Sequence, residues 1–472
     1  LFCLLLGAVD AQAAQFGMPI GPQPGDQPSQ QGQGNPPQAG QNQEQPGQPP
    51  LFPGGELLDA FHKERQALKD KGITFSLHER SEVWADVSGG GHQGLSYDGL
   101  TIAKLNLDLD ALLGWKGGEF FTSAFDIHGH GPSRSFVGNQ QLISNIEATP
   151  SVKLYDLWLD QTLFDGKVSL RAGQEGANDE MMVTAYGGLF LNSSFGFPGM
   201  PASDLPSGGP NYPLATPFAR ALYSPTDKIT LAAAAYTEDP APPGTGDPQA
   251  RDRNGTAFRL NDHTMGFAEL WYTPDAKAPP DLPTTYKLGA WYATGNFADR
   301  RFDSTGGLLA SPASSGNSLQ HAGDWAIYGV VDQIVWQTPG TDDDGIGVFA
   351  MVMAGPSNRN LSNLYAEAGM NWRGPFKDRQ DDTFGLAIAY LGISPQARAY
   401  SNDLVAFGRA GSGYATNETV IEATYQAPVT NWLTLQPDLQ YVINPNAGMP
   451  NAFGNTPEAN ALVIGMRVTI RL

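Results

Sequence analysis

Carboxylates and large aromatics recur two residues apart along this chain: Glu82 with Trp84, Asp156 and Asp160 about Trp158, Glu269 with Trp271, and Tyr365 with Glu367. Residues two apart on an extended strand share a face, so each set would present an aromatic plate beside an acid. Arg80 belongs to the first set, and Arg171 and Glu175 close another extended stretch. Glu422 and Asp438 add carboxylates to the polar faces of two strands near the carboxyl end. A ring offers a flat apolar surface, while carboxylates, amides and guanidinium groups exchange hydrogen bonds with hydroxyls. A sugar, with hydroxyls on its rim and C–H groups on its faces, is the ligand that this combination would guide. The same rings could instead form belts at the two edges of a bilayer. The arginines, Arg467 and Arg471 above all, could simply pair with Glu175, Glu422 or Asp438 and stiffen an interior. Two carboxyls facing a sugar are also the equipment of glycoside hydrolysis, which makes Asp156 with Asp160, or Glu422 with Asp438, a rival acid/base reading.

The elements that must position these groups are clearest in residues 419–472. Leu462, Ile464, Met466, Val468, Ile470 and Leu472 alternate with Ala461, Val463, Gly465, Arg467, Thr469 and Arg471. Leu433, Leu435, Pro437, Leu439, Tyr441 and Ile443 repeat the pattern, as do Ile421, Ala423, Tyr425 and Ala427. Apolar out and polar in, over segments of about ten residues, is the signature of a transmembrane β-barrel. Such a sheet must close, because an open edge in lipid leaves backbone groups unpaired.

From Ile73 onward sixteen strands are predicted, at 73–87, 100–113, 119–128, 153–164, 167–174, 218–224, 229–236, 265–273, 285–293, 325–336, 345–354, 363–372, 383–391, 417–427, 432–443 and 461–472. The fold class is therefore all-β, a 16-stranded antiparallel barrel occupying 73–472, preceded by a short amphipathic helix over 56–72. Long connections alternate with short ones, as in outer-membrane barrels with long external loops and short periplasmic turns. The longest, 175–217, is too long to lie structureless and is expected to fold into the pore and set its width. Pro437 would remove one ladder hydrogen bond, and a bulge is expected there.

Composition narrows the class further. No run of 18 apolar residues occurs, so membrane helices are excluded. With 28 Lys and Arg against 48 Asp and Glu, the net charge of −20 excludes a nucleic-acid partner, which needs a basic face. Acidic loops could hold divalent cations between lipopolysaccharide phosphates. Residues 1–14 read as the remnant of an export signal, with Cys3 inside its apolar run, and a lipid anchor on Cys3 is the alternative. Residues 15–55, rich in Gln, Pro and Gly, read as a disordered tether.

Several separate stretches resemble the carbohydrate-selective porins of the OprB type. They are DKGITF at 70–75, LYDLWLDQ at 154–161, LRAGQ at 170–174, LNSSFGFP at 191–198, LPSGGPNYPLATP at 205–217 and LQPDLQYVINP at 435–445. The resemblance covers Glu56 to Leu472 and implies a sixteen-stranded barrel through which sugars diffuse across the bacterial outer membrane, narrowed by inward loops. It also singles out Arg171 for the constriction. The chain departs from the family in its longer tether, in residues 60–63, and in Leu472 where an aromatic is usual. A passive sugar channel with no cofactor, no metal and no catalytic residue is the expectation, in contact with outer-membrane lipid and lipopolysaccharide, as a monomer or homotrimer. A general, cation-leaning porin and a barrel plugged by the 56–71 helix are the rivals. Asp342-Asp343-Asp344-Gly345 reads as a polar turn rather than a calcium loop. His128 and His130 share a face without a third metal ligand, and Asn192-Ser193-Ser194 matches a glycosylation triplet by pattern alone.

Overall fold

A computed structural model describes residues 65–274, 283–341, 344–451, 453–454 and 456–471. The export-signal and tether segments, residues 56–64 of the expected helix, Asp342 and Asp343 of the acidic turn, and Leu472 lie outside the described residues. Residues 65–69 are helical, and Gly72, at φ 86°, ends that turn.

Sixteen strands follow, each paired with the next in sequence. The first eight are β1 (Ile73–Gly90), β2 (Gly94–Asp108), β3 (Gly118–His130), β4 (Ser151–Leu163), β5 (Val168–Glu175), β6 (Thr216–Thr226), β7 (Ile229–Thr237) and β8 (Thr264–Tyr272). The second eight are β9 (Thr285–Asp303), β10 (Ser318–Gln337), β11 (Gly345–Ala354), β12 (Ser362–Arg373), β13 (Thr383–Ile393), β14 (Asn417–Pro428), β15 (Leu433–Ile443) and β16 (Ala459–Arg471). β1 pairs antiparallel with β16, from His78 opposite Arg471 to Gly90 opposite Ala459, and closes the barrel.

The alternation seen in the sequence separates two environments. On β16, Ile464 and Met466 are exposed on the outside, whereas Ala461, Val463, Arg467 and Thr469 are buried within. Three expectations need correction. Residues 109–113 continue no strand: they form one helical turn, capped by Asp108, whose Oδ1 accepts from the backbone N–H of Asp110 at 2.9 Å and of Ala111 at 3.1 Å. The turn stops at Gly114 in the left-handed region. β9 and β10 run well past the expected 293 and 325, because Asn296 and Ala298 carry the outward face beyond the apolar band while the ladder continues. Pro437 makes no bulge. The β14–β15 register is the same on both sides of it, from Thr424 opposite Asp438 to Ala427 opposite Leu435, and its ring faces outward.

Short turns gather at one end of the barrel and long loops at the other. Two long loops, 131–150 and 176–215, turn inward and supply much of the buried apolar core. Phe190, Phe195, Phe197 and Met200 of the second pack on Phe349, Met351, Met353 and Tyr365 of the wall. Val137 and Ile143 of the first pack with Leu191 on Trp84, Val420, Val442 and Val463. Each such side chain removed from water is worth about 1.5–3 kcal/mol, which holds the loops inside against their ordering entropy.

Candidate functional site

Pairing register brings one row of charges together. Asp160 on β4 lies opposite Arg171 on β5, and Arg171 opposite Arg220 on β6, all pointing inward. Glu180, from the start of the 176–215 loop, completes the cluster. Arg171 reaches Asp160 at 3.0 Å, Glu175 at 3.4 Å and Glu180 at 2.8 Å. Arg220 reaches Asp160 at 3.1 Å and Glu180 at 2.5 Å. Arg220 is sealed, at 2% side-chain exposure, whereas Arg171 keeps 10%. Trp158 forms the floor: Phe121 stacks on it with centroids 5.0 Å apart, and the Arg171 guanidinium lies 3.8 Å from its ring centroid. Tyr236 donates to Glu175 at 2.9 Å, and Ser123 to Asp156 at 2.6 Å. Arg220 and Glu180 are absent from the residues that the sequence singled out. Inward parity between Ala219 and Ala221 is the signal that could have found Arg220.

A second cation–aromatic pair stands across the loop. Lys287 on β9 lies 4.9 Å from the ring centroid of Trp271 and donates to the carbonyl of Val183 at 2.9 Å. Residues 180–183 thus pass between Arg171 with Trp158 on one side and Lys287 with Trp271 on the other.

At the β1–β16 seam, Glu82 accepts from Trp84 Nε1 at 2.7 Å and pairs with Arg467, which also donates to Asn145. Arg80 lies one inward position from Glu82 on β1 and is buried. The expected pairing of Arg467 with Glu422 or Asp438 does not occur, because the register sets Arg467 opposite Glu82 on β1 and Gln436 on β15. Arg471 instead donates to Thr434 Oγ1 at 2.9 Å.

Elsewhere the wall carboxylates grip loop backbone. Glu422 accepts from the N–H groups of Leu191 at 2.5 Å and Asn192 at 2.9 Å. Glu269 accepts from Met182 N–H at 2.8 Å, from Tyr328 at 2.6 Å and from Trp271 Nε1. Glu418 accepts from the N–H groups of Gln140 at 2.9 Å and Gln141 at 2.7 Å. Asp438 accepts from Gln440 Nε2 at 3.0 Å. Both oxygens of Glu422 accept from loop amides, so it serves as an anchor for the loop. The expected row of site residues is therefore divided: Asp156, Trp158, Asp160, Arg171 and Glu175 meet, Arg80, Glu82 and Trp84 form a separate seam, and Glu269 and Glu422 anchor the loop.

In the long-loop region, Asp204 fastens the far end of the same loop. It accepts from Leu361 N–H at 2.5 Å, Ser362 N–H at 3.4 Å and Arg300 at 3.3 Å. Burial nevertheless pushes its carboxyl up to about 8, against the pull of Arg300. His128 and His130 face outward, opposite Gly99 and Tyr97, and among the described residues no cluster of three or more His, Cys, Asp or Glu could hold a metal.

A closed sixteen-stranded wall with apolar outside, inward loops and paired charges beside aromatic plates defines an outer-membrane channel. Residues 92–472 match the carbohydrate-selective porin, OprB family, and the chain belongs to it. Porin B of Pseudomonas aeruginosa is 26% identical over 437 residues, covering 87% of this chain and 90% of its own. The high-pH structure of Pseudomonas putida OprB matches with a TM-score of 0.76 at 22% identity, over 87% of this chain and 97% of that one. The low-pH structure of the same protein matches with a TM-score of 0.52 at 18% identity, over 87% and 96%. The chain is a porin of the bacterial outer membrane, and its family and fold are those of channels rather than enzymes.

Proposed function

We propose that Asp160, Arg171 and Trp158, with Glu175 and Glu180, form the selective segment of a passive sugar channel. Arg80, Glu82, Trp84 and Asp156 extend the polar lane along the wall. Trp271, with Lys287, forms a second aromatic station, and Glu269, Glu422 and Asp438 hold the lane's shape. The observation that carries this reading is the Arg171 guanidinium lying over the Trp158 ring while it pairs with three carboxylates. A sugar hydroxyl can take the place of one acceptor at a time at the exposed edge of Arg171, which the buried Trp158 ring holds in position. Each exchange nets only about 0.5–1.5 kcal/mol, so the solute is recognised without being trapped. No covalent step and no cofactor are required.

Liposome swelling with a panel of mono- and disaccharides tests the reading, with Trp158→Ala and Arg171→Ala as the probes. Faster entry of sugars than of uncharged polyols of similar size is expected from the native protein and should disappear in both variants. Equal rates in the native protein would overturn it. A cation-leaning general porin is favoured by one observation, the excess of three carboxylates over two arginines in the cluster. Reversal potentials across a salt gradient, measured with and without sugar, separate the two readings.

A further inference from the structure

The lumen wall contains a basic sector in a chain whose net charge is −20. On β16, β1 and β2 the inward positions toward the short turns carry Arg471, His78, Arg80 and Lys104. Register brings them together. His78 lies opposite Arg471 on β16 and opposite Ile102 on β2, the inward neighbour of Lys104. Lys104, Arg471 and Arg65, the last from the helical turn before β1, stand around the imidazole, and Arg471 also lies near Arg80.

Like charges on one wall repel, and an anion placed among them relieves that repulsion. Arg471 is the most open member: it is exposed, and its guanidinium donates to the neutral hydroxyl of Thr434 at 2.9 Å. Glu82, the carboxylate beside Arg80, is engaged by Arg467 and by Trp84 Nε1. The sector is continuous with the polar lane, because Lys104 lies near Asp156 and Asp179, and Asp156 near Arg171. A solute that leaves the exposed edge of Arg171 toward the short turns therefore meets this wall next.

We propose that the basic sector is a binding station for sugars that carry a carboxylate, such as aldonates and uronates. A guanidinium meets a carboxylate with two parallel hydrogen bonds, and an ammonium adds a point charge that needs no fixed geometry. Arg471 supplies the first and Lys104 the second, while His78 and Arg80 strengthen the local field. Passing Asp160, Glu175 and Glu180, such a solute meets three carboxylates against two guanidinium groups, and the attraction of the basic sector offsets that cost. Recognition of its hydroxyls rests on the sugar reading of the lane.

Block of single-channel current by gluconate and by glucose, at equal ionic strength, tests the assignment. Charge-assisted hydrogen bonds should let gluconate block the native channel at a concentration about tenfold lower than glucose. Arg471→Gln and Lys104→Gln should each raise the gluconate concentration toward that of glucose and leave glucose block in place. A second measurement needs no variant: raising the salt from about 0.1 to about 1 M should weaken gluconate block and spare glucose. Gluconate that blocks no better than glucose, or a gluconate block that neither variant moves, overturns the proposal. Acetate that blocks as well as gluconate refutes the assignment to sugars. A channel that does not distinguish glucose from an uncharged polyol of similar size is a failure of the lane. One that prefers glucose to the polyol, with gluconate no better than glucose, refutes the basic sector alone.

Discussion

The β4–β6 row and the β14 wall use the same residue types for opposite ends. In the first, Asp160, Glu175 and Glu180 face guanidinium groups over a tryptophan, and Arg171 keeps a small exposed edge. In the second, Glu422 is wholly buried and receives two backbone N–H groups of the inward loop. A carboxylate whose partners are side chains can exchange one for a passing hydroxyl. A carboxylate whose partners are backbone amides is part of the framework. The difference lies in what each strand faces: β5 and β6 meet the start of the 176–215 loop through the side chain of Glu180, whereas β14 meets its middle edge-on.

Substitutions on the two sides should therefore fail differently. Glu422→Ala is expected to have the largest effect, because it strands the N–H groups of Leu191 and Asn192 at about 1–3 kcal/mol each. Thermal unfolding in detergent should move down by several degrees, and single-channel conductance should rise as the loop loosens. Arg171→Ala should leave the unfolding transition nearly in place if the remaining pair of Arg220 with Asp160 and Glu180 holds the row. Sugar block of the single-channel current should weaken by about tenfold, equivalent to about 1.4 kcal/mol, and the reversal potential should move toward cation selectivity. If Arg171→Ala instead unfolds the protein as readily as Glu422→Ala, the distinction between lane and framework is lost.

A smaller effect is expected at Asp204, the other tether of the same loop. Its folded value of about 8 lies above the ordinary 3.8, so the native state binds the proton more tightly than the unfolded chain. The stabilisation is complete below pH 3.8 and declines as pH rises to about 8. Hydrogen exchange at Leu361 and Ser362 should accordingly speed up between about pH 4 and 8, beyond the intrinsic base catalysis, and level off above that range, and Asp204→Asn should remove that excess. The smallest change is Pro437→Thr. It restores a backbone donor on an outward position, and a gain of no more than about 1 kcal/mol is expected in the unfolding midpoint.

The sixteen strands were legible because a membrane barrel writes each one twice, once in its oil-facing side chains and once in its lumen-facing ones. Boundaries failed where that double pattern stops without the ladder stopping. Asn296 and Arg300 look like loop residues, yet they sit on a strand that has left the bilayer. The inward course of 176–215 was readable from its length and its Phe195, Phe197 and Tyr212. The 131–150 loop was not singled out as inward, since Val137, Leu142, Ile143 and Ile146 follow no strand or helix period. Inward parity placed Asp160 and Arg171 on one face, but not the register that makes them neighbours. Glu180, contributed by irregular chain, had no periodicity to place it. Glu422 was visible as an inward carboxylate, but its amide partners lie more than two hundred residues away in sequence.

The pairing of β1 with β16 has a consequence for how the molecule is made. Residues 78–90 find their partners at 459–471, so the first stave waits for the last, and almost the whole polypeptide must be emitted before the seam can lock. Contacts so remote in the chain carry a heavy loop-closure burden and make maturation slow. Until that zip is fastened, two raw margins of N–H and C=O face the oil. A newborn chain would need an escort, or an early hairpin to shelter them, far more than the finished cylinder ever does.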